Sequence, residues 1–451
     1  MNGPMRYNST YRTFALVAAT LGVPVLALAQ PTQQELLDRV SKLESEVQVL
    51  RANQASTPKP ADPAAVAGAQ SAVKADASKH SAVPGSAGYD GGFYIKSADG
   101  SFSLKPSVQF QFRSVYNAAD NINSAGEDNS EQNFEIRRLK LGFAGNVFTS
   151  KLTYDFVIVA NRNGSAVTLE TAMGQYEFTD GWFFKFGQFK EPTFHEEITS
   201  SKRQLAVDRS LANELLGGGR TDYVEGVALI YGGAKKNDNP LNVELGLTDG
   251  INSDGTRAVA PPNSAADFGG YVRVDYKISG NWKNYADFTA LGTKEDLVVV
   301  GGGVSYTQTG DLDAYLATVD AQWEMGNGFS LYVAGLLNYT DAAAGSETDY
   351  GVVAQGAYLL PSMKNVEVFG RYSGVFLDET IAVGNTTEDV FHEFTVGGNY
   401  YFGEDGKYGH RAKFTLDVGY LPNGSPAENG IGVQGSGDDQ FYVRAQFQLL
   451  I

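Results

Sequence analysis

Basic side chains are concentrated at one point of the first two strands that the sequence predicts. In the run FEIRRLKLGF, Phe134 and Ile136 are apolar in one phase and Leu139 is apolar in the other. The phase therefore slips at Arg137–Arg138, and such a slip is typical of a β-bulge, which would turn both guanidinium groups to one face of the sheet. Together with residues of a later polar stretch, the predicted basic cluster comprises Arg113, Arg137, Arg138, Lys140, Ser200, Ser201, Lys202, Arg203 and Arg209.

These residue types suit the recognition of an oxyanion. Guanidinium forks, ammonium groups and hydroxyls donate charge-assisted hydrogen bonds to phosphate or carboxylate oxygens. A ring of arginines and lysines is also a common way to select anions in a pore. The alternative is that the basic groups pair with nearby acids, such as Glu135, Asp155 and Glu170, and only stiffen the wall. Both interpretations are compatible with the sequence.

The polar stretch that supplies the serines is the longest interruption of strand pattern in the chain. Trp182, Phe184 and Phe186 alternate as in a strand, residues 191–221 show no strand pattern, and alternation resumes near Tyr223. A connection of this length without a repeat pattern of its own is uncommon and is usually functional. We predict that it folds into a barrel and narrows it.

Apolar and polar residues alternate along sixteen segments between residues 101 and 451. For example, Val272, Val274 and Tyr276 alternate with Arg273 and Asp275, as in a strand with one apolar and one polar face. The predicted long connections are residues 118–132, 191–221, 251–265, 378–387 and 422–437. A soluble β-sandwich also alternates, but short turns on one side and long loops on the other are typical of an outer-membrane barrel. The predicted fold is all-β, a sixteen-stranded antiparallel transmembrane β-barrel.

The two ends of the predicted barrel and two of its connections give further detail. The last strand runs to Ile451, so that it can close the barrel against the first strand and leave no open edge. Two connections depart from the alternation of short and long: residues 280–295 form a long turn, and the loop near Gly310 is short.

Composition and charge exclude several functional classes. The chain has 451 residues, no cysteine and a formal net charge of -17. This charge argues against nucleic acid as a partner, because the phosphates would be repelled. The four histidines show neither metal-binding spacing nor a Ser–His–Asp pattern. We therefore expect no enzymatic activity, no metal and no cofactor.

The N-terminal part of the chain differs from the barrel segments. Arg6 and Arg12 precede an apolar run that ends in Ala27-Leu28-Ala29, which is typical of a cleaved signal peptide. Apolar residues at heptad spacing follow; they indicate a coiled coil or, alternatively, a solvated helix that forms only weakly. The predicted segments are a signal peptide (1–29), a short periplasmic coiled-coil helix (30–51), an Ala/Pro/Ser-rich linker (52–92) and an outer-membrane β-barrel (93–451).

Three runs, RRLKLGFAG, GQFKEP and EEITSSKRQLAVDR, occur in this order, and through them residues 93–451 resemble the phosphate-selective porin O and P family. The resemblance implies a trimeric, sixteen-stranded outer-membrane porin whose third loop folds inward and whose throat binds phosphate or polyphosphate. The residues that correspond to the family's throat are the arginines Arg113, Arg137 and Arg138, the loop serines Ser200 and Ser201, and the loop arginine Arg209. Glu197 stands where phosphate-binding members have a lysine, and Lys140 where they have a tyrosine.

We predict from these observations a passive outer-membrane diffusion channel for small hydrophilic solutes, with anions such as phosphate or polyphosphate as substrates. The expected partners are outer-membrane lipid, small anionic solutes and further copies of the chain in a homotrimer. The alternative function is an envelope-tethering barrel with a general, weakly selective pore, whose N-terminal helix and linker contact the cell wall. Deleting residues 31–92 separates the two, because only tethering would be lost while conductance survives.

Overall fold

The computed structural model describes residues 85–89, 91–120, 128–160, 167–218, 223–232, 239–250, 266–383, 386–426 and 438–451, with five residues between 41 and 48. The chain divides into two compact units, Met1–Ala82 and Val83–Ile451. In the first unit Ser41, Lys42, Glu44, Ser45 and Gln48 are helical. The predicted signal peptide, the apolar heptad positions of the predicted coiled coil and residues 52–84 of the predicted linker lie outside the described residues.

Within the described residues, eighteen antiparallel strands form one sheet. The strands are β1 (Gly85–Tyr89), β2 (Phe93–Ser97), β3 (Ser103–Asp120), β4 (Asn129–Asn146), β5 (Leu152–Ala160), β6 (Val167–Thr179), β7 (Trp182–Phe189), β8 (Val224–Gly232), β9 (Leu241–Thr248), β10 (Phe268–Ser279), β11 (Leu297–Thr309), β12 (Leu312–Glu324), β13 (Phe329–Ala342), β14 (Gly345–Leu359), β15 (Val366–Val383), β16 (Thr386–Tyr401), β17 (Ala412–Leu421) and β18 (Asp438–Leu450).

The sixteen strands β3–β18 close into a barrel. Each pairs with its neighbours in sequence, and β18 also pairs with β3. At the seam the backbone N–H of Ile451 donates to the carbonyl of Val108 at 2.9 Å, and Val108 N–H donates to Ile451 O at 2.7 Å. The predicted sixteen-stranded antiparallel barrel is therefore confirmed, with the last strand closing against the first.

The remaining two strands form a hairpin beside the barrel. β1 pairs with β2 over its whole length, and β2 pairs with the start of β3 through Ile95 and Lys96. Residues 85–89 of this hairpin have the Gly/Ser-rich composition that placed them in the linker. Their strand structure depends on pairing with β2, which composition does not report.

The barrel exposes apolar residues on its outer face and buries polar residues on its inner face. On β10, Val274 and Ile278 are 42% and 61% exposed, whereas Arg273 and Asp275 are 1% and 2% exposed. A sheet that contacts water with its outer face has the reverse arrangement. The alternation predicted from the sequence is therefore present in this strand, and its apolar side chains face outward.

One predicted long loop is wrong. The sequence predicts a loop over residues 378–387, yet β15 continues to Val383 and β16 begins at Thr386. The two strands pair up to Val383–Thr386 through an irregularity between Phe376 and Ile381. This irregularity shifts the alternation of apolar residues, so that the outer part of the hairpin does not read as strand in the sequence.

Helical structure is confined to short turns in the barrel unit. Between β7 and β8 lie α1 (His195–Ile198), α2 (Leu211–Asn213) and a π-helical turn (Glu214–Gly218), and 3-10 turns occur at Asn284–Ala286, Glu404–Gly406 and Gly409–Arg411. We call residues 190–218 the long segment. Throughout the part of the chain that the structure describes, no helix is long and apolar enough to cross a membrane.

An apolar cluster joins the long segment to the sheet. Phe194, Leu205 and Leu211 of the long segment are at most 2% exposed, and they share this cluster with Tyr332 of β13 and Phe369 of β15. Burial of large side chains of this kind is worth about 1.5–3 kcal/mol each. Apolar packing therefore holds the long segment against the strands of the second half of the barrel.

The turn between β10 and β11 also packs against the long segment. The ring of Tyr285 in this turn stacks on His195, with centroids 4.0 Å apart and planes 6° apart. Arg203 Nη1 donates to the carbonyl of Ala286 at 3.4 Å. The ring of Phe288, which is 1% exposed, packs edge-on against His195 with centroids 5.5 Å apart. The unusual length of this turn in the sequence thus corresponds to a second segment that contacts the first.

Candidate functional site

The β-bulge predicted in β4 is confirmed. Gln111 of β3 pairs with Arg138, whereas the next residue, Phe112, pairs with Ile136, so that Arg137 is the extra residue of the bulge. Because one residue is added, Arg137 and Arg138 both turn to the polar face. Both guanidinium groups contact the same carboxylate, that of Asp208.

Asp208 of the long segment is surrounded by four arginines. Arg113 Nη1 donates to Oδ2, and Arg137 Nε and Arg138 Nη1 lie 3.4 Å from Oδ1. Arg444 Nη1 lies 3.7 Å from Oδ2. Burial alone would raise the pKa of Asp208, but the guanidinium groups outweigh this effect and hold the pKa well below its usual range. The ionised carboxylate ties the long segment to β3, β4 and β18.

Arg113 and Arg444 each have a second carboxylate partner. Arg113 Nε donates to Glu135. Arg444 binds Asp417 through Nε at 2.8 Å and Nη2 at 2.7 Å, the bidentate geometry that guanidinium and carboxylate favour. We call the four arginines with Asp208, Glu135 and Asp417 the arginine cluster. Four cations and three carboxylates give it a net formal charge of +1, far below the charge that its arginines alone suggest.

Buried acids of the barrel also bind the backbone of the long segment. Val207 N–H donates to Asp417 Oδ2 at 2.9 Å, and Leu211 N–H donates to Glu393 Oε2 at 3.0 Å. Buried backbone groups need such partners because an unpaired N–H away from water costs as much as a lost hydrogen bond. Lys413 Nζ similarly donates to a carbonyl of the long segment. The segment therefore has one specified position on β16 and β17.

The other predicted loop residues lie in different places. Arg209 donates through Nη2 to the carbonyls of Glu197 at 2.9 Å and Thr199 at 3.0 Å. Ser201 Oγ accepts from Gln109 Nε2 at 3.2 Å. Arg203 contacts the β10–β11 turn, as described above. These three residues hold the fold of the long segment or its contacts with the barrel.

A cavity of about 490 Å³ lies between the long segment and the wall formed by β3–β9. Three residues of the predicted basic cluster line it, namely Lys140, Ser200 and Lys202. The charged residues of its lining are Lys140, Lys185, Lys190, Lys202, Asp155, Glu170 and Glu244. The structure thus separates the predicted cluster into an arginine cluster that is mostly buried and a lysine-lined cavity.

The sequence reasoning missed three members of the arginine cluster: Asp208, Asp417 and Arg444. Asp208 immediately precedes Arg209 in the polar stretch, and Arg444 lies on the polar face of the last strand. Nothing in their local patterns indicates that they meet, because the contact depends on where the long segment docks. A count of polar-face charges on β17 and β18 could have suggested Asp417 and Arg444, but not Asp208.

Comparisons with known proteins agree with this architecture. Residues 107–239 match the family model described as phosphate-selective porin O and P, which confirms the resemblance over that part of the chain. No curated protein matches the chain.

Several solved structures share the fold. An anion-selective porin from Comamonas acidovorans is 12% identical with a TM-score of 0.54, and the match covers 78% of this chain and 100% of that chain. OprB of Pseudomonas putida is 10% identical with a TM-score of 0.52, and the match covers 78% of this chain and 95% of that chain. OmpF of Salmonella typhi in complex with daunomycin is 15% identical with a TM-score of 0.50, and the match covers 78% of this chain and 99% of that chain. At these identities the likeness concerns the fold.

Proposed function

We propose that this chain is an outer-membrane porin, a passive diffusion channel for small hydrophilic solutes and not an enzyme. The observation that carries the proposal is the closed barrel of sixteen strands with an apolar outer face and a polar inner face. A closed barrel satisfies every strand edge, which allows it to sit in lipid. Barrels of about this strand number leave an aqueous channel.

The long segment is proposed to fold into the barrel and form its constriction. Its buried apolar residues and the β10–β11 turn pack together on the side of β12–β18. The cavity of about 490 Å³ lies on the opposite side, against β3–β9. Solute would therefore pass through an off-centre route between the long segment and this wall.

We propose anions, such as phosphate or polyphosphate, as preferred solutes, and the basic cluster as the residues that attract them. The family description that matches residues 107–239 supports this preference, as do the lysines that line the cavity. The pairing of Arg113, Arg137 and Arg138 with Asp208 limits it. We therefore expect a modest anion preference, set mainly by Lys202 with Ser200, because Lys140 is paired with Glu170.

The proposal also covers the membrane in which the barrel lies, its oligomeric state and the roles of the N-terminal segments. Porin trimers are the form that the family resemblance implies, and we propose a homotrimer in the outer membrane. Residues 1–29 would direct export, residues 30–51 would form a helix in the periplasm, and residues 52–92 would link that helix to the barrel.

The test is the current through the purified full chain in planar bilayers under a KCl gradient, with phosphate then titrated in. We expect stable channels, a reversal potential on the anion side and a partial block by phosphate that Lys202→Gln weakens. Channels without anion preference or phosphate block would leave a general porin and remove the phosphate proposal. The absence of channels from correctly folded protein would remove the porin proposal itself.

A further inference from the structure

Given that the chain is a porin, we propose that its cavity favours small zwitterionic solutes, which carry one carboxylate and one ammonium group. The solute carboxylate would face Lys202 on the long segment, and the solute ammonium would face Asp155 on β5. The inference rests on the proposed function and specifies the solute class of the same cavity.

Most charges of the cavity are already neutralised. Lys140 donates to Glu170, and Lys185 donates to Glu244. Lys190 donates to Glu197 of the long segment. A charged solute would have to compete with these carboxylates for each ammonium group, so the three lysines offer it little net attraction.

Lys202 and Asp155 are the exceptions. Both line the cavity, and neither forms an ion pair or a side-chain hydrogen bond with any residue that the structure describes. The two side chains still interact electrostatically. Burial and the nearby charge of Arg203 lower the pKa of Lys202, and the negative charge of Asp155 partly offsets this lowering. The cavity thus holds one cation and one anion that face the same space without touching.

This arrangement discriminates between solute classes by charge. A monoanion gains the attraction of Lys202 but is also repelled by Asp155, and the repulsion offsets part of the attraction. A zwitterion whose charges are a few ångströms apart gains both attractions. Apolar side chains of the lining, including Val157, Met173 and Ile198, leave room for the short carbon chain between the two groups.

The experiment compares two solutes of equal size in proteoliposomes that contain the full chain. β-Alanine carries both charges, whereas 3-hydroxypropanoate has a hydroxyl in place of the ammonium group. Entry of each radiolabelled solute is measured at low concentration and low salt, and leakage into protein-free liposomes is subtracted. We expect β-alanine to enter about threefold to fivefold faster, the range that partly solvated charge contacts support.

Variants assign the effect to the two residues. Asp155→Asn should bring the ratio of the two entry rates to one or below, chiefly by speeding 3-hydroxypropanoate. Lys202→Gln should slow both solutes, while Asp155→Glu and Lys202→Arg should keep the wild-type preference. Lys151→Gln changes an exposed lysine of a turn outside the cavity lining and serves as the matched control.

The outcomes separate the inference from the porin proposal. Entry of both solutes with a ratio of one or less in the wild-type protein would overturn the zwitterion inference and leave the porin intact. An unchanged preference in Asp155→Asn would also overturn it. If neither solute enters above leakage through folded protein, the porin proposal fails, and the inference fails with it.

Discussion

Replacement of Asp208 by Asn should release the long segment from the barrel wall. The carboxylate is the shared partner of Arg113, Arg137, Arg138 and Arg444 and is 2% exposed in its side chain. Removing one member of a buried ion pair costs about 3–5 kcal/mol, because the remaining charge stays buried without compensation.

The lower end of that range applies here. Arg113 keeps Glu135 and Arg444 keeps Asp417 after the change, so these two guanidinium groups stay compensated. A cost of about 3 kcal/mol raises the population of the undocked segment about 100-fold, since about 1.4 kcal/mol corresponds to a factor of ten.

Limited proteolysis with trypsin measures that population. The long segment contains Lys202, Arg203 and Arg209 as cleavage sites, and cleavage follows the equilibrium fraction of the open state when opening is fast. We expect cleavage within the segment about 100-fold faster in Asp208→Asn, with the strand content unchanged by circular dichroism. Asp341→Asn alters an exposed acid near the β13–β14 turn and is the control. A rate within about threefold of wild type would refute the role given to the carboxylate.

Two further predictions concern the start of the long segment. Burial raises the pKa of Glu191 to about 7 from its ordinary value of 4.5, so the folded state keeps its proton longer than the unfolded state and loses stability as pH rises from 4.5 to 7. Glu191→Gln should therefore stabilise the protein by about 3 kcal/mol at pH 8 and about 1 kcal/mol at pH 5, as measured by thermal unfolding in detergent at both pH values; an equal gain at both would contradict the assignment. Gly303→Val adds a Cβ that would lie 2.7 Å from the carbonyl oxygen of Thr193. It should displace the start of the segment and speed tryptic cleavage, whereas the same change at Gly335, where the nearest atom is 3.8 Å away, should not.

Strand positions were largely predictable because outward-facing apolar residues and inward-facing polar residues alternate along each strand of the barrel. The predicted strand 266–279 is Phe268–Ser279, and the predicted strand 438–451 is Asp438–Leu450. The bulge at Arg137 was also predictable, because an inserted residue leaves a visible slip of phase in the sequence. Strand pairing is irregular between Phe376 and Ile381, and the alternation of apolar and polar residues is interrupted there. The predicted loop at residues 378–387 was wrong for this reason.

The candidate site was only partly predictable. Its basic residues are visible in sequence, but their partners are not, because Asp208 reaches Arg113 and Arg444 only after the long segment has docked. Pairing decides how much charge a solute meets. Which lysines of the cavity are paired, and that Lys202 is not, likewise depends on distances between elements. No local sequence pattern predicts these distances.

The central claim is that solute passes through the cavity between the long segment and β3–β9. The chain has no cysteine, so Ser200→Cys in the cavity lining and Ser346→Cys in the exposed start of β14 each provide a single labelling site. A negatively charged methanethiosulfonate reagent is added while single-channel current is recorded, and labelling is confirmed by mass spectrometry. We expect the current of Ser200→Cys to fall by about half or more, since added bulk and charge at a constriction impede conduction, and that of Ser346→Cys to stay unchanged. Full current through completely labelled Ser200→Cys would contradict the account, because the route would then lie elsewhere in the barrel.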